Sequence, residues 1–134
     1  MKYLLDTHIL MWMLTGDEQI GKEVKELIMD QDNQIYYSAV SPWEIEIKHL
    51  KYPEQISVSG EEFNGFCEQA GFIALPISGK YVGEFKNIRQ IDSSLKHNDP
   101  FDKMLLAQAR YENMVLITHD RKFKNYDDPH LLLC

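Results

Sequence analysis

Four acidic side chains stand where alternating strands and helices would bring them together. Asp6 closes the apolar run 3–5, and Asp120 lies three residues beyond the apolar run 114–117. Glu44 and Asp102 each lie in the first turns of a predicted helix. Carboxylates a few ångströms apart repel one another and take up protons unless a cation lies between them. The pattern therefore predicts a metal-binding active site.

The donor atoms indicate a hard cation. Carboxylate oxygens, in a sequence without a cysteine or histidine spacing typical of zinc, favour Mg²⁺ or Mn²⁺. Because Mg²⁺ usually keeps several waters, four acids either hold one ion and its waters or hold two ions. In a two-ion site one ion activates the attacking water and the other stabilises the leaving oxygen. Both arrangements predict hydrolytic chemistry.

Some of these acids also have a purely structural interpretation. Ser41 and Glu44, with a proline directly after the serine, match a capping box that opens a helix. Asp120 is placed to cap a short helical segment that follows it. Asp6 has no capping role in this interpretation, and this difference favours the metal site.

Asp99 and Asp102 flank Pro100 at the start of another predicted helix. Asp99 suits the N-cap position, and Asp102 suits the positive end of the helix dipole. Capping is the stronger interpretation of Asp99, and metal ligation is the alternative. Asp102 fits either role equally well.

The side chains next to the acids give weaker signals. His8 and His119 adjoin Asp6 and Asp120, but no paired histidine spacing marks them as ligands. Thr118 is placed to orient a water or a carboxylate. Basic residues near the acids would form a cationic rim for phosphates, although each also suits a solvated helix end. The rim candidates are Lys48, His49, Lys51, Lys96, His97, Arg121, Lys122 and Lys124. The predicted substrate-binding residues are Lys48, Lys103 and Arg121.

Apolar runs and helical periodicities alternate along the chain. The predicted strands are 3–5, 35–37, 72–75, 114–117 and, at an edge, 131–133. The predicted helices cover 20–29, 41–52, 59–70, 76–91 and 99–113. Because the strands are apolar throughout, we predict a central, mostly parallel sheet covered on both faces, in one domain of residues 1–134. Ligands of such sheets bind beyond the carboxyl ends of the strands, where the acids fall.

The composition restricts the function classes. A chain of 134 residues with 44% hydrophobic residues is typical of one globular domain. No apolar run approaches the roughly 20 residues that span a bilayer, and an acid at position 6 comes too early for a secretory signal. We therefore expect a cytoplasmic protein without a membrane partner, with Cys67 and Cys134 unpaired. The net charge of −7 argues against a general nucleic-acid binder, but not against an enzyme whose acids surround a metal.

Four short segments, taken in order, carry a family resemblance. They are residues 4–8 (LLDTH), 41–45 (SPWEI), 97–103 (HNDPFDK) and 116–120 (LITHD). Together they resemble the PIN-domain family, and most closely the VapC-like toxins of type II toxin–antitoxin systems. The ordered set extends over nearly the whole chain and is specific, whereas any single segment would be weak.

The resemblance implies a three-layer α/β/α sandwich and an endoribonuclease that depends on Mg²⁺ or Mn²⁺. It assigns Asp6, Glu44, Asp102 and Asp120 as the family acids, with Asp99 as a supplement to Asp102. It also implies an RNA substrate, a homodimer and a cognate antitoxin protein that blocks the site. A metal-activated water would attack the phosphorus in line.

Two other function classes stay open. Aspartyl phosphotransfer would use Asp6 as a nucleophile, but phosphatases of that type require a second aspartate where His8 stands, and receiver domains require an acid where Leu5 stands. A catalytically silent PIN-like binding module would show the same pattern, although all four acids are intact. Metal-dependent cleavage of RNA separates this module from a nuclease.

Overall fold

A parallel sheet of five strands forms the centre of the computed structural model, which describes residues 1–92, 94–95 and 98–134. The strands are β1 (Lys2–Leu5), β2 (Gln34–Ser38), β3 (Ile73–Leu75), β4 (Val115–Thr118) and β5 (Leu131–Leu133). Their order is β3-β2-β1-β4-β5, and all four pairings are parallel. The carboxyl ends of the strands therefore share one edge, with β1 at its middle. The predicted α/β class and parallel sheet are confirmed.

The register places the ends of the central strands side by side. Leu5, the last residue of β1, lies opposite Tyr37 of β2 and Ile117 of β4. The next backbone N–H, that of Asp6, still donates to the Ile117 carbonyl at 3.0 Å. The hydrogen bonds that pair β1 with β4 thus continue one residue beyond β1 and hold Asp6 at the carboxyl edge of the sheet.

Helices cover the sheet and connect its strands. The α-helices are α1 (Thr7–Thr15), α2 (Lys22–Met29), α3 (Val40–Lys51), α4 (Gly60–Gln69) and α5 (Pro100–Glu112). Shorter 3₁₀ helices are Glu18–Ile20, Gly79–Asn87 and Arg121–Asn125. The predicted helix over 20–29 begins only at Lys22, because Gly21 adopts φ of +79° and separates it from the preceding 3₁₀ turn. Within the described residues, no helix has the length and apolar character needed to cross a membrane.

Two hydrophobic cores lie on opposite faces of the sheet. Leu4 of β1 packs in the core formed with α5. The adjacent Leu5 packs in the other core, together with Ile9 of α1, Ile45 of α3 and Phe63 of α4. Successive strand residues point to opposite faces, so both faces need apolar side chains. This explains the continuous apolar runs and confirms the three-layer α/β/α architecture.

The start of α3 differs from the prediction. The helix begins at Val40 and has no side-chain cap at its N-terminus. Ser41 lies inside the first turn, fully buried, and its Oγ lies 2.9 Å from Thr7 Oγ1. The capping-box interpretation of Ser41 and Glu44 is therefore wrong, because the serine hydroxyl is engaged with α1 and not with its own helix.

The segment over 76–91 also differs from the prediction, since it contains a 3₁₀ helix, Gly79–Asn87. Two glycines within this segment disfavour a regular α-helix. Three large apolar side chains of this segment nevertheless face the core. Tyr81 is buried, and Phe85 and Ile88 pack against the same core.

Candidate active site

Asp6 lies where β1 ends and α1 begins, and it is only 5% exposed. Its Oδ1 accepts a hydrogen bond from the Thr7 backbone N–H at 2.7 Å, which makes Asp6 the N-cap of α1. Its Oδ2 accepts from Thr118 Oγ1 at 2.6 Å. The expectation that Asp6 has no capping role is therefore wrong. One carboxylate caps a helix and is also fixed at the sheet edge from β4.

Thr118 joins two of the predicted acids. Its fully buried hydroxyl donates to Asp6 and accepts from the Asp120 backbone N–H at 3.1 Å. Asp120 Oδ1 in turn accepts from the Lys122 N–H at 3.0 Å, which caps the 3₁₀ helix Arg121–Asn125. The predicted cap at Asp120 and the orienting role of Thr118 toward a carboxylate are both confirmed.

Glu44 is held by a chain of two hydroxyl groups, those of Ser41 and Thr7, which we call the hydroxyl relay. Thr7 Oγ1 donates to Glu44 Oε1 at 2.9 Å and lies at the same distance from Ser41 Oγ. A hydroxyl has one proton to donate, so Thr7 accepts from Ser41 while it donates to Glu44. Because Thr7 directly follows Asp6, the first turn of α1 positions both the Asp6 carboxylate and, on α3, the Glu44 carboxylate.

Asp99 and Asp102 lie at the start of α5. Asp99 Oδ1 accepts from the backbone N–H groups of Phe101 at 2.8 Å and Asp102 at 3.3 Å, which confirms the predicted N-cap. Asp102 lies in the first turn and is only 7% exposed. The partly exposed cap residue, Asp99, therefore lies beside the nearly buried carboxyl of Asp102.

Electrostatics link all five acids. Burial raises the pKa of Asp6 and of Glu44 above their ordinary values. For Asp102, burial is the largest cause and the negative charges of Asp6, Asp99, Glu44 and Asp120 add to it, which raises the pKa to about 8. Without a cation, Asp102 therefore holds a proton at neutral pH. A divalent ion would replace that proton, since metal ligands must be deprotonated.

The donor set fits a divalent cation. It consists of carboxylate oxygens, two of them nearly buried, on separate elements that meet at one edge. Within the described part of the chain, no three acidic, histidine or cysteine side chains converge closely enough to ligate one ion together. Mg²⁺ typically takes one or two carboxylates and keeps waters on its other positions, so its binding does not require such a triad.

Two of the predicted substrate-binding cations lie on helices that carry acids of the site. Lys48, one turn along α3 from Glu44, lowers the pKa of Glu44 in partial opposition to burial. Lys103 lies in the first turn of α5, and its Nζ donates to Asn98 Oδ1 at 3.2 Å. These lysines therefore flank Glu44 and Asp102.

Arg121 lies in an open cleft of about 800 Å³ on the Asp99 side of the acids. Its lining includes three exposed cations, Arg121, Lys122 and Lys124, and two acids, Asp92 and Asp99. Two other candidates for the cationic rim, Lys96 and His97, lie outside the described residues. The three cations outnumber the two acids, and their N–H groups suit contacts to a phosphate backbone.

A second, smaller cleft of about 270 Å³ borders Asp120. Its lining consists of His8, Trp12, His119 and Asp120. The sequence analysis missed Trp12 and the relay residues Thr7 and Ser41. Their positions in the sequence could have indicated these residues, since Thr7 adjoins Asp6 and Trp12 follows His8 by one helical turn.

Several solved structures share this fold. The chain is similar to VapBC2 from Rickettsia felis bound to a DNA fragment from its promoter, with 19% identity, a TM-score of 0.64 and coverage of 100% of this chain and 98% of that one. A toxin–antitoxin complex from Klebsiella pneumoniae shows 21% identity, a TM-score of 0.61 and coverage of 97% and 95%. VapBC-1 from nontypeable Haemophilus influenzae shows 17% identity, a TM-score of 0.60 and coverage of 93% and 92%.

A search of curated proteins found no significant match. A family model described as PIN domain, in contrast, matches residues 3–129. This match includes all five acids and every strand except β5, which lies beyond its end. The resemblance noted in the sequence is confirmed, and the chain belongs to the PIN domain family.

Proposed function

We propose that this protein is an endoribonuclease that depends on a divalent metal and acts as the toxin of a type II toxin–antitoxin pair. The observation that carries the proposal is Asp102, a nearly buried carboxyl on which four other acids act, in a chain of the PIN domain family. A protein that only needed a stable fold would gain nothing from this repulsion. A cation in the cluster relieves it.

One or two of Asp6, Glu44 and Asp102 would hold Mg²⁺ or Mn²⁺ directly and the rest through the waters of the ion, with Asp99 and Asp120 as supplementary groups. When bound, such an ion lowers the pKa of a water toward neutrality and stabilises negative charge on phosphoryl oxygens. The chain itself supplies the orientation of the acids through its threonine hydroxyls.

The reaction is the hydrolysis of an RNA phosphodiester. The oxygen of a water bonds to phosphorus, one P–O bond to a ribose breaks, and the leaving oxygen receives a proton. Lys48, Lys103 and Arg121 bind the phosphates on either side of that bond. The positive charge in the cleft around Arg121 supports this assignment.

We further propose a cognate antitoxin and a homodimer as protein partners. The similar structures named as VapBC and toxin–antitoxin complexes support the antitoxin. An outward apolar stripe on α3 supports a protein partner, since Trp43, Ile47 and Leu50 are 53%, 43% and 74% exposed at helical spacing. The free thiols Cys67 and Cys134 suit the reducing cytoplasm, where we place the protein.

The test is cleavage of total cellular RNA by the purified chain, freed of any antitoxin, with Mg²⁺, with Mn²⁺ and with EDTA. We expect discrete fragments with either metal and none with EDTA. Asp6→Asn should abolish the fragments. Asp32→Asn, which changes an exposed carboxyl in the turn after α2, should leave them unchanged.

Direct metal binding provides a second readout. Titration of Mn²⁺ followed by calorimetry should show saturable binding that Asp102→Asn weakens. Binding of metal without cleavage of any RNA would instead indicate a catalytically silent module. Absence of both, in a folded protein, would refute the proposal.

A further inference from the structure

The small cleft beside Asp120 has a composition unlike the rest of the site. We propose that His8, Trp12 and His119 form a stacking site for one unpaired base of single-stranded RNA, next to the phosphate at the acids. The inference deepens the proposed nuclease function and rests on it. None of the three rings has a role in holding the acids through the hydrogen bonds described above.

The three rings line one open cleft, and their planes are inclined to one another. The Trp12 and His119 ring centroids lie 5.1 Å apart in an edge-on arrangement, with an interplanar angle of 66°. His8 and Trp12 are 6.4 Å apart and tilted by 52°. Both imidazoles are exposed, and the indole is half-buried. The cleft of about 270 Å³ lies just below the usual size of a small-ligand pocket, about 300 Å³, as suits a single base.

The rings are held in place before any ligand arrives. Trp12 packs against the core that covers its face of the sheet. His119 Nδ1 lies 2.6 Å from the Cys134 carbonyl oxygen, a distance that requires the nitrogen to donate. With that nitrogen engaged, the ring keeps a fixed orientation toward the cleft. Rigid aromatic rings bind at low cost because little side-chain freedom is lost.

The position relative to the acids suits a strand that crosses the site. Asp120 lines the aromatic cleft, and the next residue, Arg121, lines the cationic cleft that also contains Asp99. A nucleic acid with phosphates in the cationic cleft and a base in the aromatic cleft would therefore pass Asp120. Sequence-tolerant stacking of unpaired bases on aromatic side chains is a common mode of single-strand recognition.

The charge of the chain makes such a contact useful. At a net charge of −7, the protein gains little general attraction for RNA phosphates. Stacking attracts the base without requiring positive charge. It also selects single-stranded over paired RNA, because paired bases present no free face.

The first experiment uses Trp12 as its own reporter. The chain has two tryptophans, so Trp43→Phe leaves Trp12 alone and preserves an aromatic contact with Phe101. We expect a single-stranded RNA hexamer, added in EDTA buffer, to quench the Trp12 fluorescence saturably. An abasic hexamer with the same sugar–phosphate backbone should bind about 5- to 150-fold more weakly.

The second experiment measures binding of a fluorescein-labelled hexamer by anisotropy. Trp12→Leu and His119→Ala should each weaken binding within the same range, with melting temperatures recorded to verify folding. Tyr52→Leu, which changes an exposed aromatic residue at the end of α3, should not. Equal affinity for the intact and the abasic hexamer would overturn the stacking site.

The two proposals can fail separately. A wild-type protein that cleaves RNA but binds both hexamers equally contradicts the stacking site and leaves the nuclease intact. Base-dependent quenching of Trp12 without cleavage under any metal contradicts the nuclease alone.

Discussion

Thr118 donates a 2.6 Å hydrogen bond to Asp6 across 112 positions of sequence. The same hydroxyl accepts from the Asp120 backbone, so one buried oxygen connects the first and last acids of the site. Side chains that orient metal ligands in this way commonly affect metal affinity or activity as strongly as 10- to 100-fold.

Thr118→Val should therefore reduce RNA cleavage by about 10- to 100-fold, because it keeps the shape of the side chain and removes the hydroxyl. Thr118→Ser should retain most of the activity. Cleavage rates measured over a range of Mn²⁺ concentrations provide the test. Full activity of the valine variant would show that Asp6 needs no orientation from β4.

Thr7→Val removes the relay between Ser41 and Glu44. We expect Mn²⁺ affinity, measured by calorimetry, to fall about 10-fold or more, since Glu44 loses its donor. The matched control is Thr15→Val in the same helix, where the hydroxyl donates to the Met11 carbonyl at an exposed position. If both variants bind Mn²⁺ as the wild type does, the relay does not position Glu44 for metal.

The stability of the metal-free protein should decrease as pH rises. The pKa of Asp102 is about 8 in the folded state and near 3.8 when unfolded, so between these values the folded chain binds more protons. Stability then falls with increasing pH across that window. Asp102→Asn removes the contribution of Asp102 to this dependence, and its melting temperature in EDTA should exceed that of the wild type by a margin that grows from pH 5 to pH 8.

Addition of Mg²⁺ at pH 8 should raise the melting temperature of the wild type, because the cation binds the folded state. The same addition should have a much smaller effect on Asp102→Asn. A wild-type melting temperature that is independent of both pH and Mg²⁺ would contradict the electrostatic coupling of the acids.

Gly60 marks a close approach between α3 and α4. A Cβ at this position would lie 2.4 Å from the Pro42 carbonyl oxygen, and Gly60 N–H donates to Glu46 Oε1 at 3.1 Å. Gly60→Ala should destabilise the fold by about 1–3 kcal/mol through overpacking. Gly65→Ala, in the same helix but with open space around it, should stabilise the fold by about 0.5–1 kcal/mol. Urea denaturation of both variants checks the opposite signs.

Short sequence patterns predicted the elements that depend on residues adjacent in sequence. The runs ending at Leu5 and Ile117 are apolar because both of their faces are buried, and this pattern is legible without a structure. The cap at Asp99 before a proline is equally local. The convergence of the acids followed from the rule that parallel strands present their carboxyl ends at one edge.

What the sequence did not reveal depends on partners that are distant along the chain. Ser41 matches a capping motif by its neighbours, yet its hydroxyl meets Thr7, which is 34 positions earlier. The cap role of Asp6 was missed because neither a proline nor an acidic residue marks the first turn of its helix. A single sequence shows which residues are able to form a bond, and packing decides which bond forms.

The central place of β1 has a consequence for synthesis of the chain. β1 leaves the ribosome well before its partner β4, and the Asp6–Thr118 bond, which joins residues 112 positions apart, cannot form until β4 has been made. A chain released before Thr118 lacks part of its sheet, and it also lacks the fourth acid, Asp120. Products of translation interrupted before Thr118 should therefore be harmless to the RNA around them, and the site should form only after Thr118 and Asp120 have been synthesised.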